Sequence, residues 1–451
     1  MIKLSQVAEL DLRKRVKNVW KLSIPAILTQ MATIVMQYID SAMVGKLGAN
    51  ASASIGLVAT STWLVSGIIT AISVGFSVQI AHSFGAQEYK DGRKILRHGL
   101  VFSILASIIL TVLCSLASSH LGEWLDADES IWYDSGIYFL VFSLTIPFML
   151  INTYCASCLQ CSGDMIIPSI LNAVMCLLDV VFNAIFIPKY QVLGAAIGTS
   201  LATIVTGLLM FYFCCFKNKT LKITHKDHTV FDFNIIKKSI KIGIPIAIEQ
   251  VTRSLAMIVS TKIVAPLGNS ALAANSFAIT AESICYMPGF GISTAATTLV
   301  GQAYGAGKNK EAKSYGNISI AIGAGVMGIA AILMFMVCPY LFKFFTPDKE
   351  VQKIATIILR VGLFAEPLYG VSMVATGALR GAEDTLVPSI MNLISIWAVR
   401  ITLSFILVKS YGLLGVWIAN TVELCVRGII LYIRQITSKH YFRKKFIEET
   451  N

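Results

Sequence analysis

An all-α membrane protein, with twelve transmembrane helices in two six-helix lobes related by a parallel pseudo-two-fold repeat, is the fold that this sequence of 451 residues predicts. Three observations carry it. Only 14% of residues are charged while 55% are apolar, against the ~25% charge of a soluble chain, and the mean hydropathy is +0.71. Long apolar runs recur between polar breaks, each near the ~20 residues that a bilayer-spanning helix consumes. The second half of the chain also repeats the first at a constant spacing.

The runs lie near 18–40, 52–81, 95–119, 131–153, 166–188 and 192–216, then near 238–262, 272–301, 315–341, 353–377, 386–409 and 413–437. Helices are expected because lipid offers no partner for backbone N–H and C=O groups. The runs are twice the length of barrel strands and do not alternate. Residues 1–216 then form an N-terminal lobe, 217–237 a cytoplasmic linker and 238–451 a C-terminal lobe.

The net charge of +12 encodes orientation rather than affinity for nucleic acid. Most Lys and Arg fall in the N-terminus, the even-numbered loops and the C-terminus. The odd-numbered loops and their edges hold Lys46, Lys189, Lys343, Lys349, Lys353 and Lys409, and the loop after the third span is acidic, with Glu123, Asp126, Asp128, Glu129 and Asp134. By the positive-inside rule both termini lie in the cytoplasm of a multi-pass protein of the cell (inner) membrane. The N-terminus lacks a short apolar stretch with a small-residue cleavage site, so no secretory leader is expected. The ten cysteines fall mostly inside apolar runs, where cysteine behaves as a small hydrophobe, and they predict no disulfide framework.

At an offset of 220 residues LQCSGDMIIPSILN (159–172) faces LRGAEDTLVPSIMN (379–392) with six of 14 positions identical. KLSIPAILTQ (21–30) faces KIGIPIAIEQ (241–250) at the same offset, Val44, Leu47 and Gly48 face Val264, Leu267 and Gly268, and Gly85-Ala86 faces Gly305-Ala306. Such self-similarity marks duplication. Six spans per half put both halves in the same orientation, a parallel repeat about an axis along the membrane normal. Two such lobes suit alternating access, in which rocking opens a cleft to either face, so a secondary transporter is expected before any family is considered.

VWKLSIPAILTQMATIVMQYIDSAMVGKLG (19–48), PLGNSALAANSFAI (266–279), MPGFGISTAATTLVGQAYGAG (287–307) and LRGAEDTLVPS (379–389) resemble the multidrug and toxic compound extrusion (MATE) family, bacterial type. That family lies within the multidrug/oligosaccharidyl-lipid/polysaccharide exporter superfamily. The resemblance runs over nearly the whole chain. It implies an antiporter, not an enzyme, that exports organic, cationic or amphipathic compounds against inward H⁺ or Na⁺. Lipid-linked glycan flippases share the architecture and supply the alternative. A small-molecule substrate and membrane lipid are the expected partners, with no nucleic acid and no cofactor beyond the coupling ion, and a monomer is expected.

An ionised side chain inside a span costs several kcal/mol, so embedded acids are functional candidates. Asp40 ends the first span and Asp179 lies inside the fifth. At 100° per residue Asn172 and Asn183 fall within about 20° and 40° of Asp179, on one helix face. Were Asp40 to approach from the first span, burial and like charge would both favour uptake of a cation. The resemblance implies the same site, since one branch of the family holds its cation on aspartates that match Asp40 and Asp179. That branch often has Asn where Met175 stands here, which tilts the expectation from Na⁺ toward H⁺. Thr199, in GAAIGTS, is a further candidate ligand, and no metal is expected beyond a Na⁺ at Asp40 and Asp179.

In the second lobe Glu249 with Arg253, and Glu423 with Arg427, are spaced i,i+4 with the acid first, which favours intrahelical pairs. Glu249 also matches a span-seven glutamate that another branch uses for cations. The span-ten aspartate of that branch is replaced by Tyr369, with Glu366 nearby. Glu282 in span eight and Arg400 in span eleven lack local partners, and Glu249, Arg253 and Glu282 are candidates for the cleft. Asp40 faces Ser260, Asp179 faces Val399 and Glu249 faces Thr29, so the halves share scaffold but not charge. Pro25 and Pro245 sit inside spans, where proline removes a backbone bond, and Pro25 is the candidate hinge.

Three signals carry little. Cys155, Cys158 and Cys161 have a metal-like C-x-x-C-x-x-C spacing, but their repeat counterparts Ala375, Ala378 and Gly381 ask only for a small residue. GQAYGAGKN (301–309) lacks the spacing and the Ser/Thr of a phosphate loop. The sequon at Asn218 lies on the expected cytoplasmic side.

Overall fold

The computed structural model describes residues 4–124, 128–223 and 231–442. Every regular element among them is helical. The long helices are α1 (Leu4–Gly45), α2 (Ala49–Gly85) and α3 (Tyr89–Ser118), followed by the single turn α4 (Leu121–Trp124), α5 (Trp132–Ser162) and α6 (Ile166–Tyr212). The second half runs through α7 (Phe233–Val264), α8 (Asn269–Gly305), α9 (Asn309–Phe345), α10 (Lys349–Leu363), α11 (Glu366–Gly381), α12 (Leu386–Ile394) and α13 (Thr402–Thr437). Among the described residues nine helices are long and apolar enough to cross a bilayer, or ten when the pair α10 and α11, bent by 53°, counts as one span. The twelve runs of the sequence are still present. α6 holds the fifth and sixth, broken at Gln191, and α13 begins within the eleventh and breaks at Gly412 before the twelfth. α8 spans 37 residues but carries Asn, Ser, Thr and Glu282 along its length. Leu105, Ile109, Leu113 and Leu116 stand exposed along α3, the apolar outer face that lipid covers.

The helices form two compact units, Met31–Gln250 and Met1–Gln30 with Val251–Asn451. This division is not the one drawn from the repeat at 217–237. The reason is the packing of the first halves of α1 and α7. Val19 of α1 belongs to a core with Ile292, Ala296 and Leu431, whereas Ile242 and Ile246 of α7 pack with Ala71 and Val78 of α2. In the Met31–Gln250 unit the core gathers Phe76, Ile80, Leu96, Leu150, Leu159 and Met210 around buried Tyr154, whose hydroxyl donates to the Leu96 carbonyl at 3.0 Å. In the other unit one core joins Ala278, Ala281, Phe342, Leu359 and Trp417.

The repeat is visible in backbone detail. Gln191 (φ 52°) breaks α6, and Gly412 (φ 57°) breaks α13. Shortly after each break a glycine lies against the carbonyl of the incoming helix, Gly194 on Phe186 and Gly415 on Leu407, where an added Cβ would collide. These pairs stand 221 residues apart, not 220. The extra residue is accounted for between α12 and α13, where Ser395–Ile401 forms a π-helix. A π turn absorbs one inserted residue without ending a helix.

Candidate functional site

α1 brings Asp40 to within five residues of its end at Gly45, and α6 carries Asp179 and Asn183 one turn apart ahead of the Gln191 break. Asp179 and Asn183 are fully buried and Asp40 is half-buried. The Asn183 side-chain amide donates to Asp40 Oδ1 at 2.9 Å and to Asp179 Oδ2 at 3.3 Å. One NH₂ group therefore bridges carboxyls from two helices, and Asp40 and Asp179 lie close enough to interact directly. Asp179 Oδ1 and Asn183 Oδ1 are buried and have no hydrogen-bond partner among the described residues. A buried acceptor left unmatched is costly, and two ionised carboxylates at this separation repel strongly in a low-dielectric setting. Uptake of one cation between the carboxyls would relieve their repulsion.

Local packing fixes the arrangement. α6 meets α1 again where Cys176 Sγ lies 3.3 Å from the Ala32 carbonyl. Val44, Ile187, Val192 and Ala195 form an apolar cluster beside the site, with Tyr138 packed against it. Beyond the break, Gly198 faces Asn183, where an added Cβ would collide with the amide oxygen and lie 3.0 Å from the Asn183 nitrogen. Gly198 is thus the residue that leaves room for the bridging amide.

The other candidates fall into place unevenly. Asn172, two turns earlier on α6, is half-buried. Thr199 accepts through its carbonyl from the Thr203 hydroxyl at 2.9 Å. Two contributors were missed in the sequence. Tyr138 of α5 lies within electrostatic reach of both aspartates, which no local motif announces. Gly198 stood in view inside GAAIGTS, beside the threonine that drew attention.

In the second half Glu249 is buried and Arg253 half-buried on α7. Glu423 and Arg427 on α13 form a buried ion pair at 3.0 Å, and Glu423 also accepts from Ser395 at 2.8 Å. Arg427 lies over the Tyr369 ring, 5.4 Å from its centre. Glu282 of α8 and Glu366 of α11 are buried near one another. Glu282 Oε1 and both carboxyl oxygens of Glu366 lack hydrogen-bond partners among the described residues. Glu282 lies within the field of Arg400 and beside Gly362, whose missing Cβ would stand 3.3 Å from Glu282 Oε1. Pro25 lies within α1, which runs through it unbroken, and its carbonyl accepts from the Thr29 hydroxyl at 3.0 Å.

A duplicated, polytopic helical chain with acids embedded in its spans has the architecture of a membrane transporter. The MatE family model matches residues 25–185 and again residues 245–406, and the chain belongs to this family. The two matches begin 220 residues apart and end 221 apart, in agreement with the π-helical insertion. A probable multidrug resistance protein NorM of Thermotoga maritima is 27% identical over 433 residues, covering 94% of this chain and 92% of that protein. An outward-facing multidrug resistance MATE family transporter of the MOP superfamily superposes with a TM-score of 0.89 at 22% identity, covering 94% of this chain and 95% of that one. The bent form of the Vibrio cholerae MATE transporter VcmN gives 0.87 at 17% identity, covering 96% and 98%. The fold is therefore that of the MATE transporters, with twelve helices in two lobes.

Proposed function

We propose that this protein is a secondary antiporter that exports small organic compounds, cationic or amphipathic, by alternating access as H⁺ moves inward through Asp40 and Asp179. The observation that carries the reading is the Asn183 amide bridging the two carboxyls inside the spans. Relatives such as the Thermotoga maritima protein, described as a probable multidrug resistance protein, support the substrate class. H⁺ is favoured over Na⁺ by the way Asn183 points. Its NH₂ group, not its oxygen, faces the carboxylates, so an oxygen cage for a hard cation would require the amide to turn. A proton held between the carboxyls leaves that bridge in place.

The protein sits in the cell membrane with both termini cytoplasmic, an orientation that the distribution of Lys and Arg supports, and it works as a monomer. Proton uptake changes the bend of α1 at Pro25, where the missing backbone bond softens the helix. Pro25→Ala is expected to slow transport without loss of folded protein, and unchanged transport would remove the hinge from the account.

The deciding experiment is substrate transport in proteoliposomes with a pH gradient and a Na⁺ gradient imposed separately. Movement driven by the pH gradient alone is expected. Movement driven only by Na⁺ would reassign the ion, and movement without either gradient, tied to a lipid carrier, would favour a flippase.

A further inference from the structure

Cysteine clusters elsewhere in the Met31–Gln250 unit, away from the acid pair. The Sγ atoms of Cys155, Cys214 and Cys215 all lie within 4.8 Å of one another, and all three residues are fully buried. α5 supplies Cys155. The other two are neighbours in the π-helix Phe213–Lys217 that closes α6. The wider π turn reduces the angle between successive side chains, so two adjacent residues can converge on a third from another helix. The grouping is not the C-x-x-C-x-x-C of the sequence: Cys158 and Cys161 follow Cys155 along α5, and neither belongs to it among the described residues.

Packing alone does not ask for sulfur here. Ala375 stands at the place of Cys155 in the second half, and Gln435 and Ile436, at the shifted offset of 221, stand at those of Cys214 and Cys215. Gln435 is itself buried and accepts from the Tyr441 hydroxyl at 2.8 Å. The segment after the π-helix is tied back onto it. The Ile223 amide donates to the Cys215 carbonyl at 2.9 Å, and Asn218 Oδ1 accepts from the Thr220 and Leu221 amides, each at 3.0 Å. This turn buries Leu221 in the same apolar cluster as the three cysteines.

We propose that Cys155, Cys214 and Cys215 form a binding site for a soft, thiophilic d¹⁰ metal ion, with Cu(I) the preferred occupant. Three sulfurs without an imidazole or carboxylate in the group select soft ions, and the apolar surroundings offer nothing to a hard one. Planar three-sulfur coordination at ~2.3 Å places the sulfurs ~4 Å apart, so each need move only ~0.5 Å or less. Zn(II) prefers a fourth ligand, which this set does not supply. Each thiol that becomes a thiolate on binding releases one proton, and no electron changes hands. The bound ion would tie α5 to the end of α6, independently of the coupling chemistry proposed above.

The test uses the full chain, purified in detergent, reduced and kept anaerobic, and titrated with Cu(I) against a chromophoric Cu(I) chelator. One Cu(I) per chain should be retained, with three sulfur neighbours by X-ray absorption. Cys155→Ala, a change the second half already carries at Ala375, should weaken retention by at least 100-fold, while Cys161→Ala should leave it unchanged. In the wild type in mildly denaturing urea, where buried thiols open to solvent, copper should slow alkylation of Cys155, Cys214 and Cys215, read by mass spectrometry, but not that of Cys161 or Cys338. That measurement needs no variant to fold. Zn(II) alone is the second probe, and it should be held far more weakly than Cu(I); its retention in place of Cu(I) would overturn the assignment. No retained metal, retention undiminished in Cys155→Ala, or a disulfide among the three cysteines in the isolated protein would overturn it.

Discussion

The fifth and eleventh spans descend from one ancestral segment, yet they carry different side chains on different backbones. In the fifth, α6 runs regularly through Asp179 and Asn183 and holds them against Asp40. In the eleventh, a π turn from Ser395 to Ile401 inserts one residue. Past that insertion Ser404 occupies the place of Asn183, and the place of Asp179 falls on Val399 or Arg400 according to where within the turn the extra residue is counted. Ser260 stands where Asp40 does. The second half thus has neither acid nor the bridging amide at these places, and has a base, Arg400, near the position that matches Asp179. Its own buried acids lie on α7, α8, α11 and α13: Glu423 is paired with Arg427, while among the described residues Glu282 Oε1 and both Glu366 oxygens have no hydrogen-bond partner. Duplication supplied a common frame, and past the π turn the two copies differ by one residue in helical phase and in the polar side chains they carry.

The comparison breaks most visibly at Asp179. Asp179→Asn is expected to abolish gradient-driven export while leaving the protein folded and inserted, whereas Val399→Asn should retain it. Transport by Asp179→Asn at the wild-type rate would remove the first-half pair from the mechanism. Gly198→Ala comes next. The new methyl meets the Asn183 amide, and overpacking of about 1–3 kcal/mol should dislodge the bridge and lower transport roughly tenfold. In the second half Ala419 already fills the place of Gly198 at the 221-residue offset, so Ala419→Gly should change transport little.

A third prediction concerns stability. Glu423→Gln leaves Arg427 buried without its countercharge and should destabilise by about 3–5 kcal/mol, read as a lowered melting temperature in detergent. Glu423→Leu combined with Arg427→Met should recover most of that loss. The smallest effect lies outside the spans. Asp232 accepts from Lys94 at 2.8 Å, and that hydrogen bond, with the lysine charge, holds the Asp232 carboxyl below its usual range. A depressed carboxyl contributes stability above its unfolded value and loses it as pH falls through the folded one. Asp232→Asn should therefore cost only about 0.2–1 kcal/mol near neutral pH, and the difference from wild type should vanish in acid.

The sequence made the membrane class, the twelve spans and the duplication legible because hydropathy and repeats are carried by many residues at once. Asp40, Asp179 and Asn183 were legible for a different reason. A charge among apolar neighbours stands out, and helical phase put Asn183 beside Asp179. Gly198 and Tyr138 were not, since a glycine's role depends on what faces it and a tyrosine's on a helix remote in sequence. The grouping of Cys155 with Cys214 and Cys215 was hidden more deeply, because it depends on a π turn that no spacing rule encodes and on residues about 60 positions apart. The repeat and the packing divide the chain at different places. The repeat's ends are true to ancestry, but the first halves of α1 and α7 pack with the helices of the other copy.

Proton release on substrate binding bears most directly on whether the first-half carboxyls couple transport. With purified protein in weakly buffered detergent, addition of a transported substrate should release protons from the wild type and from Glu282→Gln, but not from Asp179→Asn. Equal release from Asp179→Asn, or a loss confined to Glu282→Gln, would place the coupling in the second half and contradict the account.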